Sequence, residues 1–226
     1  MNHIFSKEIP FEKSFISCVK KTKSGKLIID CLTAKNISSR KIYLNSNKKL
    51  EFKCPDCNHI IMQTPAAIQR HGLCIYCAKQ KICKDEKCDF CYNNSFASCD
   101  KRTKSGKMII DHLADNHVNI RNIYIGSGTG LNFKCPDCKH DIKRSPREIN
   151  INRWCNFCSG KELCDDKTCI TCFKHLFASC DNKTKSGKLI IECWIDETTT
   201  PRKINLNSNK DFLFKCPDCY HNFNQK

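Results

Sequence analysis

FKCPDC stands at residues 52–57, again at 133–138 and again at 214–219, each copy 81 residues after the last. Two cysteines separated by two residues put two thiolates on one edge of a tetrahedral metal site, so this hexapeptide reads as the first half of a metal knuckle. Working outward, the same offset holds for the flanks. FISCVKKTKSGKLIIDC (residues 15–31) becomes FASCDKRTKSGKMIIDH (96–112) and FASCDNKTKSGKLIIEC (177–193), and KICKDEKCDFC (81–91) becomes ELCDDKTCITC (162–172). An offset kept without insertion or deletion marks a repeated structural unit. The units expected are 1–94, 95–175 and 176–226, with the first lacking an upstream cysteine group and the third lacking its second knuckle.

Composition bounds the rest. The chain has 226 residues, of which 27% are charged, and its mean hydropathy is negative, so one large core is not expected. No apolar run approaches a membrane span, and MNHIFSKEIPFEKSF at the start has no signal-peptide core. A soluble intracellular protein is expected, without a membrane or a small-molecule substrate as partner. The 21 cysteines are too many for a reducing compartment unless a metal holds them as thiolates.

Spacing assigns the ligands. Cys54, Cys57, Cys74 and Cys77 form C-x2-C-x16-C-x2-C, and Cys135, Cys138, Cys155 and Cys158 repeat it. Two such pairs complete a closed four-cysteine zinc site, although tetrahedral sulfur also suits iron. A second group follows: Cys83, Cys88, Cys91 and Cys99, copied as Cys164, Cys169, Cys172 and Cys180. Its fourth member opens the next unit, so this zinc is expected to staple successive repeats. The position held by Cys31, His112 and Cys193 competes for that fourth place and ranks second, since a cysteine after an apolar run is more simply buried. About four zinc ions result. Upstream of Cys18 the matching positions are Asn2, Lys7 and Pro10, and Cys216 with Cys219 has no second pair, so both remain half-sites. His59, His140 and His221 follow the knuckle by two residues and are read as hydrogen-bond formers, because four cysteines already fill the first two knuckle sites.

Around these ligands the pattern predicts small α+β modules that depend on zinc. KLIID and KIYLNSNKKLEFKC alternate like short strands, with NSNKK as the turn between them, so that FKCPDC ends a hairpin. QTPAAIQRHG and RSPREININR predict short helices, N-capped by Thr64 and Ser145 and carrying Pro65 and Pro146 in the first turn. Ser145 with Glu148 fits a capping box. A further short helical turn is expected over Leu73–Lys79 and Trp154–Lys161, which carry the second cysteine pair. Modules this small need staples, and a structural zinc supplies on the order of 10–16 kcal/mol of folding free energy.

An aromatic before CPxC, a nearby histidine and a second C-x2-C in LCIYCAK or WCNFCSG together resemble the tandem treble-clef, or zinc-ribbon, repeat proteins of large DNA viruses and some bacteria. LCDDKTCITCFKHLFASC is similar to the connector of the viral members, where the residue after FAS is commonly histidine. The resemblance implies a treble-clef-like fold and zinc binding, and it supports Cys99 and Cys180 as ligands. The chain departs from it by placing Phe52, Phe133 and Phe214 where such repeats often carry tryptophan. It also implies a viral setting: host nucleus or cytoplasm, viral factory, or virion.

Charge speaks to partners. Lysine and arginine number 39 against 23 acidic residues, for a formal +16, which four all-cysteine zinc centres of charge −2 lower to about +8. TKSGK recurs at residues 22–26, 103–107 and 184–188, and its turn is expected to display Lys23, Lys26, Lys104, Lys107, Lys185 and Lys188, with backbone N–H groups, to a phosphate chain. Arg153 and Trp154, beside Cys155, add a charge and a stacking ring. Lysines outnumber arginines roughly four to one, which suits phosphate contact better than base reading. The expected partner is nucleic acid, with DNA favoured and little sequence preference. The alternative is a zinc-folded scaffold for an acidic protein surface. DHLADNH (residues 111–117) is too compressed for a His-Asn-His nuclease site, and no phosphate loop or nucleophile motif occurs, so no enzyme is expected.

Overall fold

Each copy of FKCPDC turns a two-stranded hairpin in the computed structural model, which describes residues 8–33 and 38–226. Strand β1 (Leu50–Lys53) pairs antiparallel with β2 (Ile60–Gln63), in register from Leu50 opposite Gln63 to Lys53 opposite Ile60. Strands β3 (Leu131–Lys134) and β4 (Asp141–Arg144), and later β5 (Phe212–Lys215) and β6 (Asn222–Gln225), repeat the pairing. The two-residue period buries Leu50 and Phe52 on one face of β1 and exposes Glu51 and Lys53 on the other.

The knuckle is therefore the hairpin turn itself, which corrects the expectation that the hexapeptide ends a hairpin begun at KIYL. Cys54 N–H donates to the His59 carbonyl at 2.9 Å and Asn58 N–H to the Cys54 carbonyl at 2.9 Å. Asn58, Lys139 and Tyr220 take the left-handed conformation that lets so short a turn close. The KIYL stretch instead folds back on residues 13–15: Phe15 N–H donates to the Ile42 carbonyl and Leu44 N–H to the Lys13 carbonyl, both at 2.7 Å. Alternation marks a residue as extended without saying which neighbour it pairs with.

KLIID is also not a strand. Ile28–Cys31 is a 3-10 turn, entered from a single bridge between Lys21 and Leu27. In a 3-10 turn residues three apart eclipse, and here Ile28 and Cys31 go into the core together. Ile109–His112 and Ile190–Cys193 repeat the turn.

The expected helix caps are present. In α1 (Pro65–His71) the Thr64 hydroxyl accepts from Ala67 N–H at 3.1 Å, and Gly72, at φ +81°, ends the helix. A further short helix, α2 (Asp89–Asn93), follows the second knuckle. In α3 (Pro146–Asn150) the capping box closes both ways: Ser145 N–H donates to Glu148 at 2.9 Å and Glu148 N–H to Ser145 Oγ at 3.3 Å. Helix α4 (Ile170–Phe173) stands where α2 stood one repeat earlier.

The first core forms around Phe15 and Phe52, both fully buried and packed edge to face at 6.1 Å. Ile28, Leu50, Ile61 and Ile68 close it. Burying one such ring contributes about 1.5–3 kcal/mol, so a core of this size leaves the fold dependent on its cross-links.

Packing divides the chain into two units: residues up to Ser98 with Asn119–Gly126, and Cys99–Val118 with Ser127–Lys226. Within the first, Phe96 N–H donates to the Ile123 carbonyl at 2.7 Å and Ile125 N–H to the Asn94 carbonyl at 3.0 Å. Within the second, Phe177 N–H and Leu206 N–H bind the Ile204 and His175 carbonyls in the same way, each at 2.8 Å. A sequence repeat and a packing unit are thus different stretches of chain. Among the described residues no helix is long and apolar enough to cross a membrane. Asn2 and Lys7, read as the empty counterparts of upstream ligands, lie outside the described residues.

Candidate metal centres

The hairpin turn carries Cys54 and Cys57, and the bend after α1 carries Cys74 and Cys77. Their sulfurs all lie within 4.8 Å of one another, with Cys54 and Cys77 at 3.6 Å and Cys57 and Cys74 at 3.4 Å. Zinc–sulfur bonds of ~2.3 Å in a tetrahedron imply sulfurs about 3.8 Å apart, so the four fit one zinc ion with little adjustment. None of the 21 cysteines is in a disulfide. The bend presents its pair by one helical turn, with Ala78 N–H donating to the Cys74 carbonyl at 2.9 Å. Cys77 N–H points at Cys74 Sγ at 3.3 Å, a contact that favours the thiolate. Cys135, Cys138, Cys155 and Cys158 repeat the group, with sulfur pairs at 3.6 and 3.5 Å. Burial pushes the Cys77 and Cys138 thiols up to about 12 without a metal. A cation in the tetrad offsets that burial by favouring the thiolates.

The second pair of groups differs from the sequence reading. Cys83, Cys88 and Cys91 are joined by His59, and Cys164, Cys169 and Cys172 by His140. His59 Nε2 lies 3.5 Å from Cys88 Sγ and 3.4 Å from Cys91 Sγ, and His140 Nε2 lies 3.6 and 3.7 Å from the sulfurs of Cys169 and Cys172. Cys99 and Cys180, expected in the fourth place, are instead buried beyond the turns Phe96–Ser98 and Phe177–Ser179, which point the next side chain into the core. Burial raises the Cys99 thiol. None of Cys31, His112 and Cys193, at the competing position, falls in a tetrad. Cys31 and Cys193 are core residues, and Cys31 Sγ donates to the Leu27 carbonyl.

The reason lies in the knuckle. Asn58 and Lys139, in the left-handed conformation, swing the next residue away from the first centre. The His59 ring then stacks on Tyr76 at 4.0 Å, and the His140 ring on Phe157 at 4.1 Å, which leaves Nε2 facing the second set of cysteines. Burial lowers the His59 pKa and so favours the neutral imidazole that binds metal. The expected staple between repeats is therefore a link within one unit. The signal was available: both histidines recur at offset 81, and the C-x2-C-x-H spacing recurs with them.

The first two TKSGK turns are tied in part to the protein itself. Lys23 N–H and Ser24 N–H each donate at 3.0 Å to the carboxylate of Asp56, the aspartate inside FKCPDC, so these amides do not face outward. These bonds, with that of the Ser24 hydroxyl, hold the Asp56 carboxyl below its usual range. In the second repeat Asp137 accepts from Thr103 and Ser105 hydroxyls instead. Lys23 Nζ donates to the Cys77 carbonyl at 2.9 Å and Lys104 Nζ to the Cys158 carbonyl at 3.1 Å, so both lysines brace a second knuckle. Lys26, Lys107, Lys185, Lys188 and Arg153 are exposed. Trp154 is half-buried, edge-on to Phe133 at 5.2 Å, and belongs to the packing more than to a free stacking surface.

The structure thus holds small α+β modules with four Cys/His tetrads compatible with four zinc ions. No family model matches the chain. It is 32% identical over 191 residues to an uncharacterized protein of Acanthamoeba polyphaga mimivirus, an alignment covering 81% of this chain and 43% of that protein. The chain therefore spans less than half the length of this viral relative.

Proposed function

We propose that the chain is a zinc-folded, tandem treble-clef repeat protein that binds nucleic acid, DNA above all, through its phosphate backbone with little sequence preference. One observation carries the reading: its positive charge is not neutralised internally. Among the described residues the one ion pair is Lys134 with Asp141 at 3.8 Å, and both side chains are exposed. Two four-cysteine centres of charge −2, and two centres of three cysteines and a histidine at −1, take six from the formal +16, leaving about +10. Lys26, Lys107 and Lys188 stand exposed at the same place in three turns. Bound zinc supplies the cross-links that fold each module, and four protein ligands leave no open coordination position, so the role of the metal is structural. The viral relative supports a viral setting, and a protein that grips DNA there would act in replication or packaging.

A protein-binding scaffold is the second reading. It is favoured by Ile60 and Met62, 61% and 56% exposed on the outer face of β2. Titrating zinc-loaded protein with random-sequence duplex DNA across a salt series, with metal counted on the same sample, separates the two. Micromolar affinity falling steeply with salt supports the first. No binding at low salt, with four metals present, sends the search to protein partners.

A further inference from the structure

Arginine stands at the same place in each repeat, as Arg40, Arg121 and Arg202. Arg121 lies in the turn Ile120–Asn122, where the Asn119 side chain accepts from Arg121 N–H at 2.9 Å and fixes the direction of the arginine. Its Nη2 donates to the carbonyls of Asp85 at 3.0 Å and Cys88 at 3.1 Å, the loop that carries Cys83 and Cys88 to the histidine-containing centre. Its Nε and Nη1 are buried and without a hydrogen-bond partner among the described residues. Arg202 repeats the arrangement: Nη2 donates to the Lys167 carbonyl, and the guanidinium lies 5.5 Å from the Phe173 ring. Arg40 reaches the Ile9 carbonyl, in a described stretch (residues 8–13) that holds no cysteine.

We infer that Arg121 and Arg202 are positioning residues for the two histidine-containing centres, each holding its metal loop from the turn of the following repeat, so that metal retention and closure by that turn support one another. The inference rests on the metal reading above. Arg121 spends both N–H groups of Nη2 on the two carbonyls, and its Nε and Nη1 nitrogens are buried and idle. A half-buried cation with two covered nitrogens is costly unless an anionic centre lies beside it, and zinc with three thiolates and a neutral imidazole has charge −1. The four-cysteine centres follow the same rule, with Lys23 on the Cys77 carbonyl and Lys104 on the Cys158 carbonyl. Every centre thus receives one cation, on a carbonyl of its own ligand loop, from a segment distant in sequence.

Cobalt(II) reconstitution of the full chain tests this, because all-sulfur sites and mixed sulfur–nitrogen sites differ in their visible bands. Arg121→Gln is expected to release one of the two mixed-site metals to a chelator about 10–100-fold faster, the range for losing an outer-shell partner, with the other three unchanged. Arg40→Gln is expected to release all four as the parent does. Parent-like rates in Arg121→Gln, or equal acceleration in Arg40→Gln, overturn the inference. If Arg121→Gln holds fewer than three metals, Arg121→Lys is read instead: acceleration confined to one mixed-site metal supports the inference, and a parent-like rate overturns it. A parent chain with no mixed-site cobalt sinks the metal reading and this inference together. Four metals with unchanged release sinks the inference alone.

Discussion

Cys57 and His59 are two residues apart and face different metal centres, Cys57 the four-cysteine group and His59 the group of Cys83, Cys88 and Cys91. The knuckle is therefore a shared part, and damage to it reaches both centres. Cys54→Ser is expected to lower metal content by two per chain. His59→Ala is expected to weaken only one centre, and His59→Cys to restore four metals with one sulfur–nitrogen cobalt band replaced by an all-sulfur band. Metal analysis and cobalt spectra of the three variants check this, and loss of a single metal from Cys54→Ser would show the two centres to be independent.

Cys99 tests the fourth-ligand assignment from the other side. Since it is 4% exposed and outside every tetrad, Cys99→Ser should keep four metals and lose about 1–2 kcal/mol of stability through a buried hydroxyl. Cys83→Ser should lose one metal. A three-metal Cys99→Ser chain would restore that cysteine as a ligand.

The two lysines of each TKSGK turn should separate by role. Replacing Lys26, Lys107 and Lys188 together by alanine is expected to leave metal content unchanged and to reduce the salt slope of DNA binding by about three, one per phosphate contact. Lys23→Ala should instead loosen the Cys77 end of its centre, seen as faster metal release, with a smaller effect on DNA. Unchanged DNA binding in the triple variant would remove these turns from the interface.

The capping box of α3 offers a test free of metal chemistry. Ser145→Ala removes both the hydroxyl that accepts Glu148 N–H and its bond to the glutamate, and should cost about 1 kcal/mol in denaturant unfolding with zinc in excess.

Much of this was legible from residues alone. The cysteine spacing named both four-cysteine groups because C-x2-C closes locally, and Thr64, Ser145 and Glu148 named the helix starts because capping is also local. The fourth ligand of the other centres was not legible in the same way. His59 reaches its cysteines through a left-handed residue and a stacked Tyr76 ring, and neither can be seen in spacing. The hairpin partner was missed because IIMQ, apolar at Ile60, Ile61 and Met62, shows no alternation, and only the knuckle turn brings it back on β1. In the first lysine turn Asp56, 32 residues past Ser24, occupies the amides of Lys23 and Ser24, a pairing too distant in sequence for spacing to show.

The mismatch between the 81-residue period and the packing unit bears on how such an array grows. Asn119–Gly126 belongs to the second repeat in sequence and completes the first in space. A single excised period would lack its closing segment, so the smallest piece to express alone is residues 1–126 rather than one period. Yet inserting one further period in frame, at any breakpoint, leaves every closure intact, since each copy gives its predecessor what it takes from its successor. Length can therefore change by whole periods without any joint being redesigned.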